Sequence, residues 1–264
     1  MTPEPIAFLD SGVGGLPYLA HTRRLLPHMS YVHVADRENF PYGEKEPARI
    51  IEASIGVTER LIARAHPLLI VVACNTISVV ALDALRARFP IPFVGVVPAV
   101  KPAALFSRRH RVGVLATRQT VEGDYLRALV EKHARGCAVV SLPASGLVEF
   151  VECDLYRAGP EEKTGRVRQE VDRFRDQRID ALVLGCTHFL HLESEFRLLL
   201  DEDGVMLVDS REGVSRQVER LLAGRSPSSG RKGEDVLHVT GSAPLEERYS
   251  WFAGQYGLRL KGAL

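Results

Sequence analysis

The sequence predicts an α/β protein made of two similar lobes, each a mostly parallel sheet flanked by helices. Three observations carry that expectation. Short, continuously apolar runs alternate with amphipathic stretches of helical period, as in buried parallel strands joined by helical crossovers. Two of these runs end alike: residues 68–73 stop at Cys74-Asn75-Thr76, and residues 181–185 stop at Cys186-Thr187-His188. The interval from Asp10 to Thr117, each following the first strand of its half, nearly matches that from Cys74 to Cys186. Two lobes of related design would space their landmarks in this way.

The elements follow in order. A strand over 6–9 leads into Asp10-Ser11-Gly12-Val13-Gly14-Gly15 and a helix to about residue 26. A strand over 31–35 leads into Asp36 and a loop carrying Pro41-Tyr42-Gly43. A long amphipathic helix covers 47–65, the Cys74 strand follows, a helix ends near 89, and a strand covers 93–96. The second half repeats the rhythm: a strand over 112–116, a helix from about 120, a strand over 138–141, a helix over 160–177, then the Cys186 strand. Pro98, Pro102 and the basic run Arg108-Arg109-His110-Arg111 mark a crossover, and the chain returns near 208–210. The expected lobes are therefore 1–97 with 208–264, and 98–207. Residues 224–233, rich in Ser, Pro and Gly, read as a surface loop. Residues 236–240 read as a strand rejoining the first sheet, and 245–255 as a last helix with Trp251 and Phe252 at its buried end.

Composition narrows the class. The 264 residues are 45% hydrophobic and 25% charged with a net charge of +1. That balance is ordinary for a globular protein and gives no electrostatic case for nucleic acid or an anionic membrane. The apolar runs are too short to span a bilayer, and the amino terminus lacks the basic and apolar stretches of a secretory signal. A cytoplasmic protein is the expectation. The four cysteines never form CxxC, which argues against a zinc site built from local pairs and against a disulfide framework. Cys137 and Cys153 read as small buried hydrophobes.

Cys74 and Cys186 read differently, because each stands at the carboxyl end of a parallel strand, where open α/β sheets place ligands. A helix start there has unsatisfied N–H groups and favours negative charge, so it supports a thiolate and offers donors to a substrate carboxylate. Asn75, Thr76 and Thr187 add side-chain donors, and Thr117 and Thr120 add others from the matching turn of the second half. The turn at Asp10 lacks both GxGxxG with its distant acid and the GK[ST] of a nucleotide loop. Its glycines let backbone approach a small ligand while Asp10 and Ser11 project; a tight turn without a ligand is the alternative. His188 is the natural tuning partner of Cys186, and Asp36 or Asp10 that of Cys74. Glu152 follows an apolar stretch, where a lone carboxylate needs a reason; an exposed helix face is the alternative. The other histidines read as surface or satisfied core residues.

Taken in order, Asp10-Ser11-Gly12-Val13-Gly14-Gly15, Pro41-Tyr42-Gly43, Ala73-Cys74-Asn75-Thr76 and Gly185-Cys186-Thr187-His188 resemble the glutamate racemase family, over about residues 6–241. The resemblance implies interconversion of L- and D-glutamate without a cofactor, supplying D-glutamate for peptidoglycan. It implies two α/β lobes with the active site between them, and a homodimer. It further implies that Cys74 acts on D-glutamate and Cys186 on L-glutamate, with Asp10, Asp36, Glu152 and His188 assisting the thiols or orienting the ammonium. Ser11, Pro41, Tyr42, Gly43, Asn75, Thr76, Thr187 and His188 match substrate-contacting positions. The chain departs from the family pattern at Ile77, at Glu149 and at Phe189-Leu190. Three other readings compete. These are a related racemase for aspartate, a non-catalytic two-lobed binder, and a pyridoxal-phosphate racemase, though no lysine has a recognisable Schiff-base setting.

Overall fold

The computed structural model describes residues 4–224 and 232–264. The chain divides into two compact units, residues 1–96 with 211–264, and residues 97–210.

In the first unit, β1 (Ile6–Asp10) is followed by α1 (Leu16–Leu25), β2 (Tyr31–Ala35), α2 (Pro47–Ala65), β3 (Leu69–Val72), α3 (Asn75–Arg88) and β4 (Phe93–Gly95). The second unit holds α4 (Val100–Phe106), β5 (Arg111–Ala116), α5 (Arg118–Glu122), α6 (Asp124–His133), β6 (Ala138–Pro143), α7 (Ser145–Cys153), α8 (Pro160–Asp172), β7 (Ala181–Leu184), α9 (Glu193–Asp201) and β8 (Met206–Val208). The chain then returns to the first unit with α10 (Arg211–Leu222), β9 (Val236–Val239), α11 (Glu247–Tyr256) and β10 (Arg259–Ala263). Prolines at the first turns of α1, α2 and α8 stand where no helical N–H partner is lost.

The first sheet has six strands in the order β10-β9-β2-β1-β3-β4, and the second has four in the order β6-β5-β7-β8. Every described pairing is parallel. β1, β2, β3 and β9 of the first sheet are buried along their whole length and are apolar apart from His33, His238 and the terminal Asp10, as expected of parallel strands covered on both faces. One apolar cluster joins Leu9, Val34 and Val72 to Ile50, Val57 and Leu61 of α2 and to Ile77 and Leu85 of α3. A separate one joins Val112, Val114 and Val183 to Val100 and Leu126.

In each sheet the first strand of its unit has neighbours that leave it in opposite directions, β2 and β3 around β1, β6 and β7 around β5. Such a switch point opens a crevice beyond the carboxyl ends of the strands. Asp10 and Cys74 flank one such point, Thr117 and Cys186 the other.

Several expectations need correction. The helix expected from residue 120 is two, α5 and α6, broken at Gly123. The helix expected over 160–177 ends at Asp172, and a 3-10 turn covers Arg175–Gln177. No α-helix starts at Thr187; a 3-10 segment over Thr187–Leu192 precedes α9. Trp251 is only half-buried and meets buried Phe252 edge-on at 4.9 Å. Cys137 and Cys153 are half-buried rather than core residues. β10 was not expected at all; its Arg259 and Lys261 break the apolar pattern, yet charged edge strands are common. Most of the Ser/Pro/Gly-rich stretch expected as a surface loop lies outside the described residues.

Candidate active site

In the first unit the chemistry gathers beyond β1, β2, β3 and β9. The ladder continues past the strand ends: Asp36 N donates to Asp10 O at 2.8 Å, Ala73 N to Leu9 O at 2.7 Å, and Thr240 N to Ala35 O at 3.0 Å. This places Asp10, Asp36, Cys74 and Thr240 at successive strand tips. Cys74 caps α3, so its extended backbone turns directly into the helix.

A polar line leads away from the Cys74 thiol. Sγ lies 3.7 Å from Ser11 Oγ, and Ser11 Oγ donates to Asp10 Oδ1 at 2.9 Å. Asp10 and Ser11 are both buried. The glycine of this turn that answers to a close approach is Gly15, and what it approaches is protein. A Cβ there would stand 2.6 Å from Ala73 Cβ, 3.0 Å from His33 Cε1 and 3.1 Å from Asp10 Oδ2. The expectation that these glycines serve approach to a ligand is thus corrected at Gly15, which lets α1 close over β3. His33, read as a satisfied core residue, lies buried under the same turn with Nε2 2.9 Å from Gly12 O.

Asp36 has a different set of neighbours from the one expected. Its fully buried carboxylate accepts from Tyr42 Oη at 2.5 Å, Thr240 Oγ1 at 2.6 Å and Asn39 Nδ2 at 3.0 and 3.2 Å. Burial raises the Tyr42 phenol far above its ordinary range, and the charge and hydrogen bond of Asp36 and the nearby Cys74 push it the same way. Tyr42 therefore stays a donor, locked on Asp36 beside Cys74. Its neighbours Pro41 and Gly43 are exposed and half-buried, and the Phe40–Pro41 peptide is cis. Asn39 and Thr240 were missed by sequence reasoning. Thr240 had a usable signal, since it follows a buried parallel strand as Asp10 and Cys74 do.

At the start of α3, Asn75 and Thr76 are 2% exposed. Both polar atoms of the Asn75 amide lack a hydrogen-bond partner among the described residues. A buried, unsatisfied amide costs on the order of 1–3 kcal/mol and is suited to a polar ligand that would satisfy it.

The second unit repeats the plan with other residues. Cys186 Sγ lies 3.8 Å from His188 Nδ1, and His188 Nε2 lies 3.0 Å from Glu152 Oε2. The imidazole and carboxylate are 2% and 1% exposed, so this hydrogen-bonded pair is withdrawn from water. Glu152 is therefore no exposed helix face: α7 turns Leu147, Val148, Val151 and Glu152 inward together. The tight 3-10 turn after Cys186 explains the geometry, since it folds His188 back toward the thiol two residues earlier. Gly185 just before it is also required, because a Cβ would stand 3.0 Å from Ala116 Cβ and 3.1 Å from Leu115 O. Thr117 and Thr120 share a hydrogen bond at 3.1 Å beyond β5, and Thr187 is buried. Ile77, Phe189 and Leu190, where the chain departs from the family pattern, are buried apolar side chains, and Glu149 is exposed.

Each thiol thus begins a line of two polar groups ending in a buried carboxylate. Through serine to aspartate, or through imidazole to glutamate, such a line can hold the orientation of the sulfur and stand ready to exchange a proton with it. Among the described residues no group of three or more His, Cys, Asp or Glu could hold a metal, and no helix is long and apolar enough to cross a membrane.

Comparison with known proteins gives the family. The Asp/Glu/hydantoin racemase family profile matches residues 18–214. The glutamate racemase of Treponema pallidum is 39% identical over 260 residues, 98% of this chain and 96% of that protein. That of Shewanella sp. strain MR-7 is 42% identical over 220 residues, 83% of this chain and 80% of that protein. Among solved structures, Escherichia coli glutamate racemase in complex with L-glutamate and the activator UDP-MurNAc-Ala superposes with a TM-score of 0.91 at 35% identity, covering 99% of this chain and 98% of that one. Francisella tularensis glutamate racemase in complex with D-glutamate superposes with a TM-score of 0.78 at 26% identity, covering 99% and 97%.

Proposed function

We propose, for a chain that belongs to the Asp/Glu/hydantoin racemase family and is an isomerase acting on glutamate, that one of its two strand-end thiols removes the α-proton from one face of the substrate and the other delivers its own proton to the opposite face. The observation that carries this reading is the buried Cys186–His188–Glu152 line, matched in the other unit by Cys74–Ser11–Asp10.

With L-glutamate, Cys186 as thiolate takes the α-hydrogen: the C–H bond breaks, an S–H bond forms, and the electron pair passes into the carboxylate as an enediolate. Cys74 as thiol then gives its proton to the opposite face of the same carbon and is left as thiolate. D-glutamate follows the reverse course. The α-hydrogen beside a carboxylate is very weakly acidic, so the barrier falls only if donors meet the charge as it develops. Asn75, with an unsatisfied amide, and Thr76 and Thr187 at the helix starts are suited to that work. Asp36 acts one step back, holding Tyr42 in place. The reaction needs no pyridoxal phosphate, the D-glutamate supplies peptidoglycan, and the chain works as a cytoplasmic homodimer. The identity to glutamate racemases over nearly the whole chain supports this setting.

The test is turnover in deuterated water, with L-glutamate and L-aspartate in parallel, for the parent and for Cys74→Ser and Cys186→Ser. The parent forms D-glutamate carrying solvent deuterium at the α-carbon, and each variant loses racemisation by on the order of 10³-fold. Turnover of aspartate alone, or near-parent rates in either variant, would overturn the reading.

A further inference from the structure

The second unit has a cavity at the other end of its sheet from Cys186. It lies beside the amino ends of β5 and β7, roughly 20 Å of strand away from the thiol, and has a volume of about 380 Å³. Phe174, Ile179 and Leu200 line it, each no more than 5% exposed, which makes an apolar floor. Arg109, Arg175, Arg178 and Asp203 also line it, and all four are exposed.

The charges are unevenly matched. Arg175 Nε pairs with Asp172 at 2.9 Å. Arg109 and Arg178 have no ion pair with any described residue. Their backbones are nevertheless fixed. Asp180 accepts from the amides of Arg108 and Arg109 at 2.7 Å each and from the Ser107 hydroxyl, clamping the basic run 108–111. Arg111 Nε donates to Gln177 O at 2.7 Å, tying that run to the segment that carries Arg178. Arg178 itself is left-handed at φ 51°, in the turn between the 3-10 segment and β7. Two guanidinium groups without an ion pair, borne on fixed backbone at the rim of an apolar floor, form a site for an anion with a ring-sized body.

We propose that this cavity binds a small organic phosphate with a flat apolar body, its ring on Phe174, Ile179 and Leu200 and its phosphate on Arg109 and Arg178. A dianion matches the two unpaired guanidinium groups; a carboxylate would satisfy one and a neutral ring neither. Asp203 at the mouth accepts a hydroxyl or amine of the ligand and disfavours a more highly charged one. The proposal is independent of the racemase mechanism.

The probes are 1-naphthyl phosphate, 1-naphthoate, 1-naphthol and inorganic phosphate, titrated into the full chain by calorimetry and by methyl NMR. Naphthyl phosphate is expected to bind at least tenfold more tightly than each of the others, to weaken as salt rises, and to shift the Ile179 and Leu200 methyls. Arg109→Ser with Arg178→Asn, a residue that tolerates the left-handed turn, should weaken it at least tenfold while melting temperature and glutamate turnover stay at parent values. Arg109→Ser alone, with an intermediate loss, guards against a double variant that misfolds. Equal binding of naphthol or naphthoate, no loss in either variant, or shifts confined to methyls near Cys186 would overturn the proposal.

Discussion

Glu152→Gln separates the roles of the two thiols. The substitution keeps an acceptor of the same shape 3.0 Å from His188 Nε2 and removes only the charge. A hydrogen bond to a charged group contributes roughly 1.5–3 kcal/mol and a neutral one roughly 0.5–1.5. The loss is therefore about 1–2 kcal/mol at the barrier for proton transfer to or from Cys186, or about 5–30-fold in rate. Because L- and D-glutamate have equal energies, kcat/KM must fall by the same factor in both directions, so rates alone say nothing about which thiol is affected. Isotope effects do. If Cys186 serves the L face, its transfer becomes the limiting barrier. [2-²H]-L-glutamate then shows a large primary effect on kcat/KM, whereas [2-²H]-D-glutamate, deprotonated by an unimpaired Cys74, shows one near unity. The assay is racemisation followed by chiral chromatography, with protiated and deuterated substrates run against each other. A fall of less than twofold, equal effects for both enantiomers, or the larger effect on the D substrate would refute the reasoning.

Other outcomes follow from the geometry. Gly15→Ala puts a methyl 2.6 Å from Ala73 Cβ and should cost about 1–3 kcal/mol of stability, read as a lower urea midpoint together with reduced turnover. Tyr42→Phe removes a donor from the buried Asp36 carboxylate and should cost about 1.5–3 kcal/mol, and Asp36→Asn, which turns one of the two oxygens that accept from Tyr42 and Thr240 into a donor, should cost at least as much. His238 gives a pH dependence. Burial lowers its proton affinity below the ordinary histidine value, and the nearby Arg64 and Lys261 charges add to this, while the bond to Gly262 O opposes them. The unfolded chain therefore binds more protons near this histidine's titration. Its contribution is complete above about pH 6.5 and is lost as pH falls toward the lower folded-state value. His238→Gln should flatten the urea midpoint against pH between about 5 and 7.

Strand tips were legible because fully buried parallel strands leave an unbroken apolar signature, and Cys74 and Cys186 interrupt it at its end. The direction in which a tip residue points is not written in that signature. Asp36 could be placed at the end of β2, but its pairing with Tyr42 and Thr240 depends on β9 lying beside β2, a contact between residues some two hundred positions apart. Ser11 was legible as a projecting group, though not as the link between Asp10 and Cys74. The turn after Cys186 was read as a helix start because a buried strand ends there; whether the stretch that follows closes every third or every fourth residue depends on packing. His188 was nevertheless found from its spacing alone, since two residues are a short reach in either geometry.

The split make-up of the first unit has a consequence for biosynthesis. A ribosome delivers every strand of the second sheet before β9 exists, and so can leave the Cys186 line complete while the Cys74 half waits. Until residues 236–240 emerge, β2 remains an open edge and Asp36 lacks its Thr240 donor. Nascent chains halted near residue 210 should therefore protect Glu152 and His188 from solvent exchange but leave β2 available to chaperones or to neighbouring chains, so a premature stop would be more hazardous to solubility than its modest length suggests.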